Sequence, residues 1–351
     1  MYICKAMYKS IIKPFLFRFS PETAHQLTFG MLKTIGKIPG GKTLVKLLYK
    51  RDPKGLSREV FGIKFPHPVG LAAGLDKNGE YYNELSWCGF SFIEIGSLTP
   101  LPQDGNPRPR VFRLPHDKAI INRMGINNKG VRYAIKNINA QKPDVILGAS
   151  IAKNTASKTE EEVRMDYETA FSLIYDFVDF ISINVSCPNV QGLQDLQDIS
   201  YLSDIIDPLL ELRLCYDSYK PLLIKVSPDL PREELDDMIH YCLLSGIDGI
   251  ISGNTTRSRE NLKTSESAVK KIGNGGLSGA PLYEKNLEMV KYIHEKSEGR
   301  LPIIAVGGIM TPEQAKAMLD AGASLIEIYT AFIYEGPSII KRILKYLEKN
   351  K

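Results

Sequence analysis

No apolar run in this chain approaches the roughly 18 residues that a membrane-crossing helix needs, so a spanning segment is excluded. Cysteine and histidine are sparse, five of each, and neither clusters. Cys4, Cys88, Cys187, Cys215 and Cys242 show no paired spacing, which points to a reducing compartment and away from a disulfide scaffold or zinc site. The dispersed histidines give no reason to expect a metal centre. Net charge is also small, +5 from 45 basic and 40 acidic residues, with no concentrated basic stripe. That balance permits attraction to an anionic membrane surface or anionic substrate and disfavours nucleic acid as a partner. No small-residue cleavage site follows an apolar core near the start, so no signal peptide is expected. The apolar content is ordinary for a globular protein, and 351 residues suit one large domain with an appendage.

The appendage is legible at the start. Lys5, Lys9, Lys13 and Arg18 alternate with Ile11, Ile12, Phe15, Leu16 and Phe19 at helical spacing, and Pro14 makes that first helix short or kinked. Ser20-Pro21 reads as cap and first turn of a second helix carrying Ala24, Leu27, Met31 and Ile35, which Pro39, Gly40 and Gly41 end. Two short amphipathic helices with basic flanks suit either a lid packed on the main domain or an interfacial membrane anchor. The expected division is residues 1–42 as the extension and 43–351 as the main domain.

The main domain has a regular rhythm. Apolar strands are expected at Val69–Gly74, Phe92–Ser97, Asp144–Ser150, Phe180–Ser186, Leu222–Ser227, Gly249–Ser252, Ile303–Gly307 and Leu325–Thr330. Helix-like sequence fills most gaps, as in Thr311–Ala321, which opens on Thr311-Pro312-Glu313 and stops at Gly322. Eight such units make an α/β (β/α)8 TIM barrel. Leu98 to Arg113 is too polar and proline-rich for a crossover and is expected as a loop or small hairpin at the mouth.

A TIM barrel places its active site at the carboxyl ends of the strands. The first strand runs into Ala72-Ala73-Gly74-Leu75-Asp76-Lys77-Asn78, where small residues let a flat ligand approach and Lys77 can meet an anionic oxygen; the plainer reading is a tight turn with a surface lysine. The fourth ends in Asn184-Val185-Ser186-Cys187-Pro188-Asn189, with amides suited to an imide-rich ring. Cys187 there is either a reactive thiol or an inert buried one. Lys225 lies inside an apolar strand and needs an anionic partner or ligand unless it points outward. Gly253-Asn254-Thr255-Thr256 adds amide and hydroxyl groups. Ser278-Gly279, Gly307-Gly308 and Tyr329-Thr330 form a phosphate cradle of the kind that recurs near strands seven and eight of this fold.

Nine stretches in order resemble the dihydroorotate dehydrogenase family, closest to its membrane-associated, quinone-reducing class: AAGLDKNG at 72–79, EIGSLTP at 94–100, GNPRPRVFRLP at 105–115, INRMGINN at 121–128, NVSCPNVQGL at 184–193, IKVSPDL at 224–230, GNTT at 253–256, GGLSGAPL at 275–282 and VGGI at 306–309. The resemblance implies FMN across the barrel mouth, its phosphate near Ser278, Gly279, Gly307, Gly308, Tyr329 and Thr330. The ring system would meet Ala72, Ala73, Gly74, Ser97, Ser150, Asn184, Lys225 and Gly253. Dihydroorotate would be held by Lys77, the segment Asn122, Arg123, Met124, Gly125 and Ile126, and Asn184, Asn189, Asn254 and Thr255. Cys187 would take the C5 proton while hydride leaves C6 for the flavin, giving orotate, and ubiquinone or menaquinone would reoxidise the flavin. Lys225 would support negative charge on the reduced ring. His25 and Arg113 match polar residues of the quinone tunnel, which the extension forms.

Some positions depart from that class. Cysteine at 187 stands where the quinone-linked class carries serine and is the habit of the soluble class. Ser150 and Gly253 stand where asparagine and threonine are expected. The soluble class, passing electrons to fumarate or NAD, is therefore the runner-up; a non-redox barrel acting on a sugar phosphate and an inactive flavin-binding module are further alternatives. The implied location is peripheral, on the cytoplasmic side of a cytoplasmic (inner) membrane. Oligomeric state stays open, a monomer being compatible.

Overall fold

The computed structural model describes residues 7–185 and 199–350. Eight strands close into a parallel barrel: β1 Val69–Leu71, β2 Phe92–Leu98, β3 Ile146–Ile151, β4 Phe180–Asn184, β5 Leu222–Val226, β6 Gly249–Ser252, β7 Ile303–Val306 and β8 Leu325–Ile328. Each pairs with its neighbours in sequence, and β8 returns to β1. Their apolar runs follow from burial on both faces, by the barrel interior and by surrounding helices. All eight expected strands are present, but several stop early. β1 ends at Leu71 because Gly74 turns at φ +104, and β8 ends at Ile328 because a helix begins at Thr330. The glycines and hydroxyls at these ends thus sit on loops facing the mouth. The helix expected at 311–321 spans Pro312–Asp320, with a capping box between Thr311 and Gln314.

The opposite end is sealed by a hairpin absent from the sequence expectations. Arg58–Val60 pairs with Ile63–Phe65 across a two-residue turn, Phe61-Gly62, both at positive φ as that tight turn requires. Phe65 enters a cluster with Phe92, Phe180, Leu223, Ile251, Ile304 and Leu325. The aromatic rings meet edge to face, at centroid separations of 5.2 Å for Phe65–Phe92 and 6.2 Å for Phe92–Phe180. Glycines make room for them: Gly70 faces Phe92 across β1–β2, and Gly148 faces Phe180 across β3–β4. A Cβ added at Gly148 would lie 2.1 Å from the Phe180 ring.

A second, antiparallel sheet stands over the mouth. Its strands are Gly276–Gly279, Ala119–Asn122 and Val111–Leu114, in that order. The hairpin anticipated between Leu98 and Arg113 therefore lies later, at 111–122, and gains a third strand from the loop ahead of β7.

The N-terminal segment begins as a π-helical turn, Tyr8–Ile12, continuing into Lys13–Leu16, which carries Pro14 in its first turn. The next helix, Pro21–Lys37, starts as expected: the Ser20 hydroxyl accepts from the Thr23 N–H at 3.2 Å. A third helix, Gly41–Tyr49, follows and runs across the 42/43 boundary drawn from sequence. The segment packs Phe29 into the core and is held at its edges by polar ties. Tyr8 donates to the Ile333 carbonyl at 2.6 Å, Lys9 pairs with Glu335 at 2.6 Å, Arg110 pairs with Glu22 at 2.9 Å, and Lys42 pairs with Asp144 at 3.0 Å. No helix among the described residues is long and apolar enough to cross a membrane.

The glycine–phenylalanine pairs predict a specific stability pattern. Gly148→Ala should cost about 1–3 kcal/mol by overpacking, and Phe180→Ala about 3–5 kcal/mol by leaving a cavity. The double variant should cost less than the sum, because the two sites share one volume. Urea denaturation of the three proteins measures this.

Candidate active site

One cavity of about 1230 Å³ occupies the mouth and continues under the N-terminal helices. Cavities for single small ligands run to about 1,000 Å³, so this one has room for more than one. Its near wall is the loop after β1. The buried Asp76 carboxylate accepts from the Glu80 N–H at 2.8 Å and the Tyr81 N–H at 2.7 Å, locking the turn; burial nevertheless raises its pKa to about 6. This turn sets Ala72, Ala73, Gly74 and Lys77 on the cavity. Gly74 turns at φ +104, a conformation that favours glycine, and brings the backbone beside the Tyr329 ring. The Ala73 N–H donates to Glu94 at 2.9 Å.

Across the floor runs a chain of polar groups. Asn184 Nδ2 donates to Ser97 Oγ at 2.8 Å, and the Ser97 and Ser150 hydroxyls are hydrogen-bonded at 3.0 Å. Asn254 Nδ2 approaches Asn184 Oδ1 at 3.3 Å, and Asn254 Oδ1 accepts from the Thr255 N–H at 2.8 Å. Ser97, Asn184, Asn254 and Thr255 line the cavity; Ser150 does not. It is fully buried one hydrogen bond behind, orienting Ser97 rather than facing a ligand. Gly253, also unexpected, has a clear cause: at φ +117 its Cβ would lie 2.2 Å from the Val306 carbonyl, which excludes threonine.

The far end is built from Ser278, Gly279, Gly307, Gly308, Tyr329 and Thr330, all on the cavity. Ser278 and Thr330 share a hydrogen bond at 2.9 Å, and Gly279, Gly307 and Gly308 all have positive φ. Glycine backbone beside two hydroxyls offers N–H and O–H donors with no side chain in the way, a donor set suited to a phosphate.

Beneath these groups lies a charged cluster that sequence reasoning missed in part. Lys225, on β5, pairs with Glu94 of β2 at 2.9 Å and stands 4.0 Å from Glu327 of β8. All three side chains are at least nine-tenths buried. Glu94 also accepts from Ser182 and from the Ala73 N–H. The anionic partner required of Lys225 is thus the protein's own. Its signal was available: FIEIGSL and LIEI each carry one acid inside an apolar strand, just as LLIKV carries one base. Removing one partner of such a buried pair typically costs about 3–5 kcal/mol.

The roof comes from Asn122, Met124, Gly125 and Ile126, which line the cavity. Arg123 does not. Its guanidinium donates to the carbonyls of Ile272 and Asn274, at 2.7 and 2.9 Å, and stacks on Phe112, so the side chain turns away from the cavity. The two arginine-bearing motifs meet here: Asn106 binds the backbone of Arg123 and Met124, and Arg110 clamps the Asp104 and Asn106 carbonyls while reaching Glu22. His25 and Arg113 line the part of the cavity under the helices. His25 Nε2 must carry its proton, since it meets the Leu75 carbonyl at 2.7 Å. Burial lowers its pKa, with the Lys77 charge adding to the effect. Phe29 and Tyr81 stack beside it at 4.7 Å. Arg113 donates to the Phe19 carbonyl at 2.9 Å and covers the Phe17 ring at 4.4 Å. Cys187 and Asn189 lie outside the described residues.

A family model described as dihydroorotate dehydrogenase matches residues 55–350. The chain belongs to the dihydroorotate dehydrogenase family. It is 47% identical over 344 residues to the dihydroorotate dehydrogenase (quinone) of Christiangramia forsetii, covering 98% of this chain and 99% of that one. The corresponding Coxiella burnetii protein is 43% identical across 96% of this chain and 95% of its own length. A crystal structure of the Eimeria tenella enzyme in complex with ferulenol superimposes with a TM-score of 0.83 at 34% identity, covering 93% of this chain and 90% of that one. FMN, the cofactor of this dihydroorotate dehydrogenase family, fits the residues present. The Ser278–Thr330 hydroxyls and adjacent glycines suit its phosphate, and the small residues Ala72 to Gly74, with Lys225 below, suit a flat polar ring.

The lid should loosen in acid in two stages. Burial favours neutral His25 in the folded state, so its contribution is intact above the unfolded histidine value of about 6.5 and is lost as pH falls through that range. Burial opposes ionisation of Glu335, but Lys9, Lys118 and Arg342 together outweigh it and hold its pKa below the usual value, so that latch fails only at lower pH. Limited proteolysis within residues 7–49 should accelerate as pH falls below the unfolded histidine value of about 6.5. Arg113→Ala should accelerate it at every pH.

Proposed function

We propose that this protein is a quinone-dependent dihydroorotate dehydrogenase, oxidising (S)-dihydroorotate to orotate with FMN and passing the electrons to ubiquinone or menaquinone, in de novo pyrimidine (UMP) biosynthesis. The observation that carries the reading is the single cavity joining a barrel-mouth cradle to an apolar chamber under the extension. FMN, when bound, supplies a two-electron acceptor. The chain supplies the rest. Lys77 binds the substrate carboxylate, and Asn122, Asn184, Asn189, Asn254 and Thr255 read the amide and imide edge of its ring. Cys187 removes the C5 proton. Lys225 keeps a positive charge at the cavity floor where electron density arrives.

Residues 1–42 act as the quinone-tunnel extension and 43–351 as the catalytic barrel, with the helix Gly41–Tyr49 shared between them. His25 and Arg113 present polar groups to a quinone carbonyl. Met7, Ile11, Phe15, Phe19, Leu27, Met31, Ile38, Leu44, Leu47 and Leu48 are exposed, against only five other large hydrophobics elsewhere in the described residues. With lysines interspersed, this surface suits peripheral docking on the cytoplasmic side of the cytoplasmic membrane. The soluble reading, with fumarate or NAD as acceptor, leaves that chamber without a ligand.

Anaerobic titration of the purified yellow protein with dihydroorotate should bleach its flavin absorbance, and a quinone analogue should restore it. Restoration by fumarate or NAD instead would move the chain to the soluble class. Lys77→Ala forgoes a charge-assisted hydrogen bond of about 1.5–3 kcal/mol, so kcat/KM for dihydroorotate should fall roughly ten- to hundredfold. A thiol base, with a reference pKa of about 8.5, lies far closer to neutrality than a hydroxyl. Rapid-reaction bleaching should therefore reach its plateau at lower pH in wild type than in Cys187→Ser; identical profiles would remove Cys187 from the role.

A further inference from the structure

Glu327 is the one member of the buried cluster with no evident work to do. Both of its carboxyl oxygens are sealed from solvent and lack a hydrogen-bond partner. Its strand neighbours present nothing ionisable at its level: Gly70 is its register partner on β1 and Val306 on β7. The charged groups facing it are Glu94 from β2 and Lys225 from β5. Glu94 accepts from Lys225, Ser182 and the Ala73 N–H, so its charge is compensated on several sides. Glu327 has only a 4.0 Å approach to the same ammonium. Of two nearby carboxyls, the one with fewer donors is the one that keeps its proton, because hydrogen bonds to the ionised form favour ionisation.

We propose that Glu327 is a positioning residue carried as the neutral carboxylic acid, leaving Lys225 to balance one carboxylate rather than two. With Glu327 ionised, the cluster of Glu94, Lys225 and Glu327 would hold a net charge of −1 directly under the ring site. With Glu327 neutral, the cluster is neutral overall, and Lys225, which lines the cavity as Glu327 does, can respond to added negative charge there. Burial, reinforced by the charge of Glu94 and opposed by Lys225, pushes the Glu327 carboxyl up to about 8, in the same direction as the geometry. The device is a carboxyl that fills its place in the barrel wall without cancelling the neighbouring cation. A single proton then decides how strongly the floor of the site favours an anionic over a neutral ring.

Infrared difference spectra of the holoenzyme, wild type minus Glu327→Gln, test the protonation directly. The expected result is a carboxylic-acid C=O band at neutral pH that the variant lacks, that shifts in D2O, and that disappears only at alkaline pH. Carboxylate bands in its place at neutral pH would overturn the proposal. The consequence is read by spectroelectrochemical titration of bound FMN against pH, an arm that rests on the functional reading above. At neutral pH, Glu327→Gln should keep the wild-type ratio of affinities for reduced and oxidised FMN within threefold. It should also lose an alkaline inflection that wild type shows. A tenfold change in that ratio at neutral pH, about 30 mV for a two-electron couple, or an inflection that survives in the variant, would overturn the proposal. Glu327→Leu, equally uncharged, is held to the same criteria should the glutamine variant not fold. A protein that binds no FMN would sink the functional reading, while the infrared band would still decide the state of Glu327.

Discussion

Lys225 keeps an ammonium inside a wall of leucine, isoleucine and valine, and the cost of burying that charge shapes the barrel mouth around it. An isolated cation there would be prohibitive, so a carboxylate must come within hydrogen-bonding distance, and Glu94 does. Glu94 in turn needs donors for its remaining lone pairs. It draws them from Ser182 one strand beyond β3 and from the Ala73 backbone, which fixes the loop after β1. Through Asp76 that same loop is anchored to the start of the following segment. One buried charge therefore organises β1, β2, β4 and β5 together, and the wall on which a flat ring would rest is the outer surface of that arrangement.

Much of the framework was legible because it is written in local signals. Each barrel strand is an apolar run bounded by turn residues, and the caps at Ser20 and Thr311 are short-range patterns with a direct backbone cause. The small residues and amides at the strand ends mostly reach the cavity, since strand ends in this fold have only one place to go. What escaped notice depends on contacts between distant segments. The function of Glu94 and Glu327 emerges only when β2, β5 and β8 are brought around one axis. Arg123 sits within a motif that faces the cavity, yet its long side chain turns away to satisfy carbonyls at 272 and 274. Gly253 reads as a lost hydroxyl in sequence, whereas its positive φ against the Val306 carbonyl makes glycine a backbone requirement.

The two ends of the barrel solve opposite packing problems. At the closed end, phenylalanines lie over glycines and large rings pack the interior. At the open end, the strands finish in small residues and the volume is left for ligands. The second antiparallel sheet, packed on its own apolar cluster, and the N-terminal helices, tied at their edges by hydrogen bonds and ion pairs, cover that opening without filling it.

That last property bears on how the molecule assembles. The long helix Pro21–Lys37 buries only Ala24 and Phe29, too little apolar surface to hold it in place unaided. Its order is borrowed from the barrel and from whatever fills the chamber beneath it. An apolar guest in that chamber would stand in for the missing core, joining lid to barrel as an interior side chain joins two layers of a fold. Occupancy and local folding would then be one equilibrium, and the grip of the lid would report how often its guest is at home.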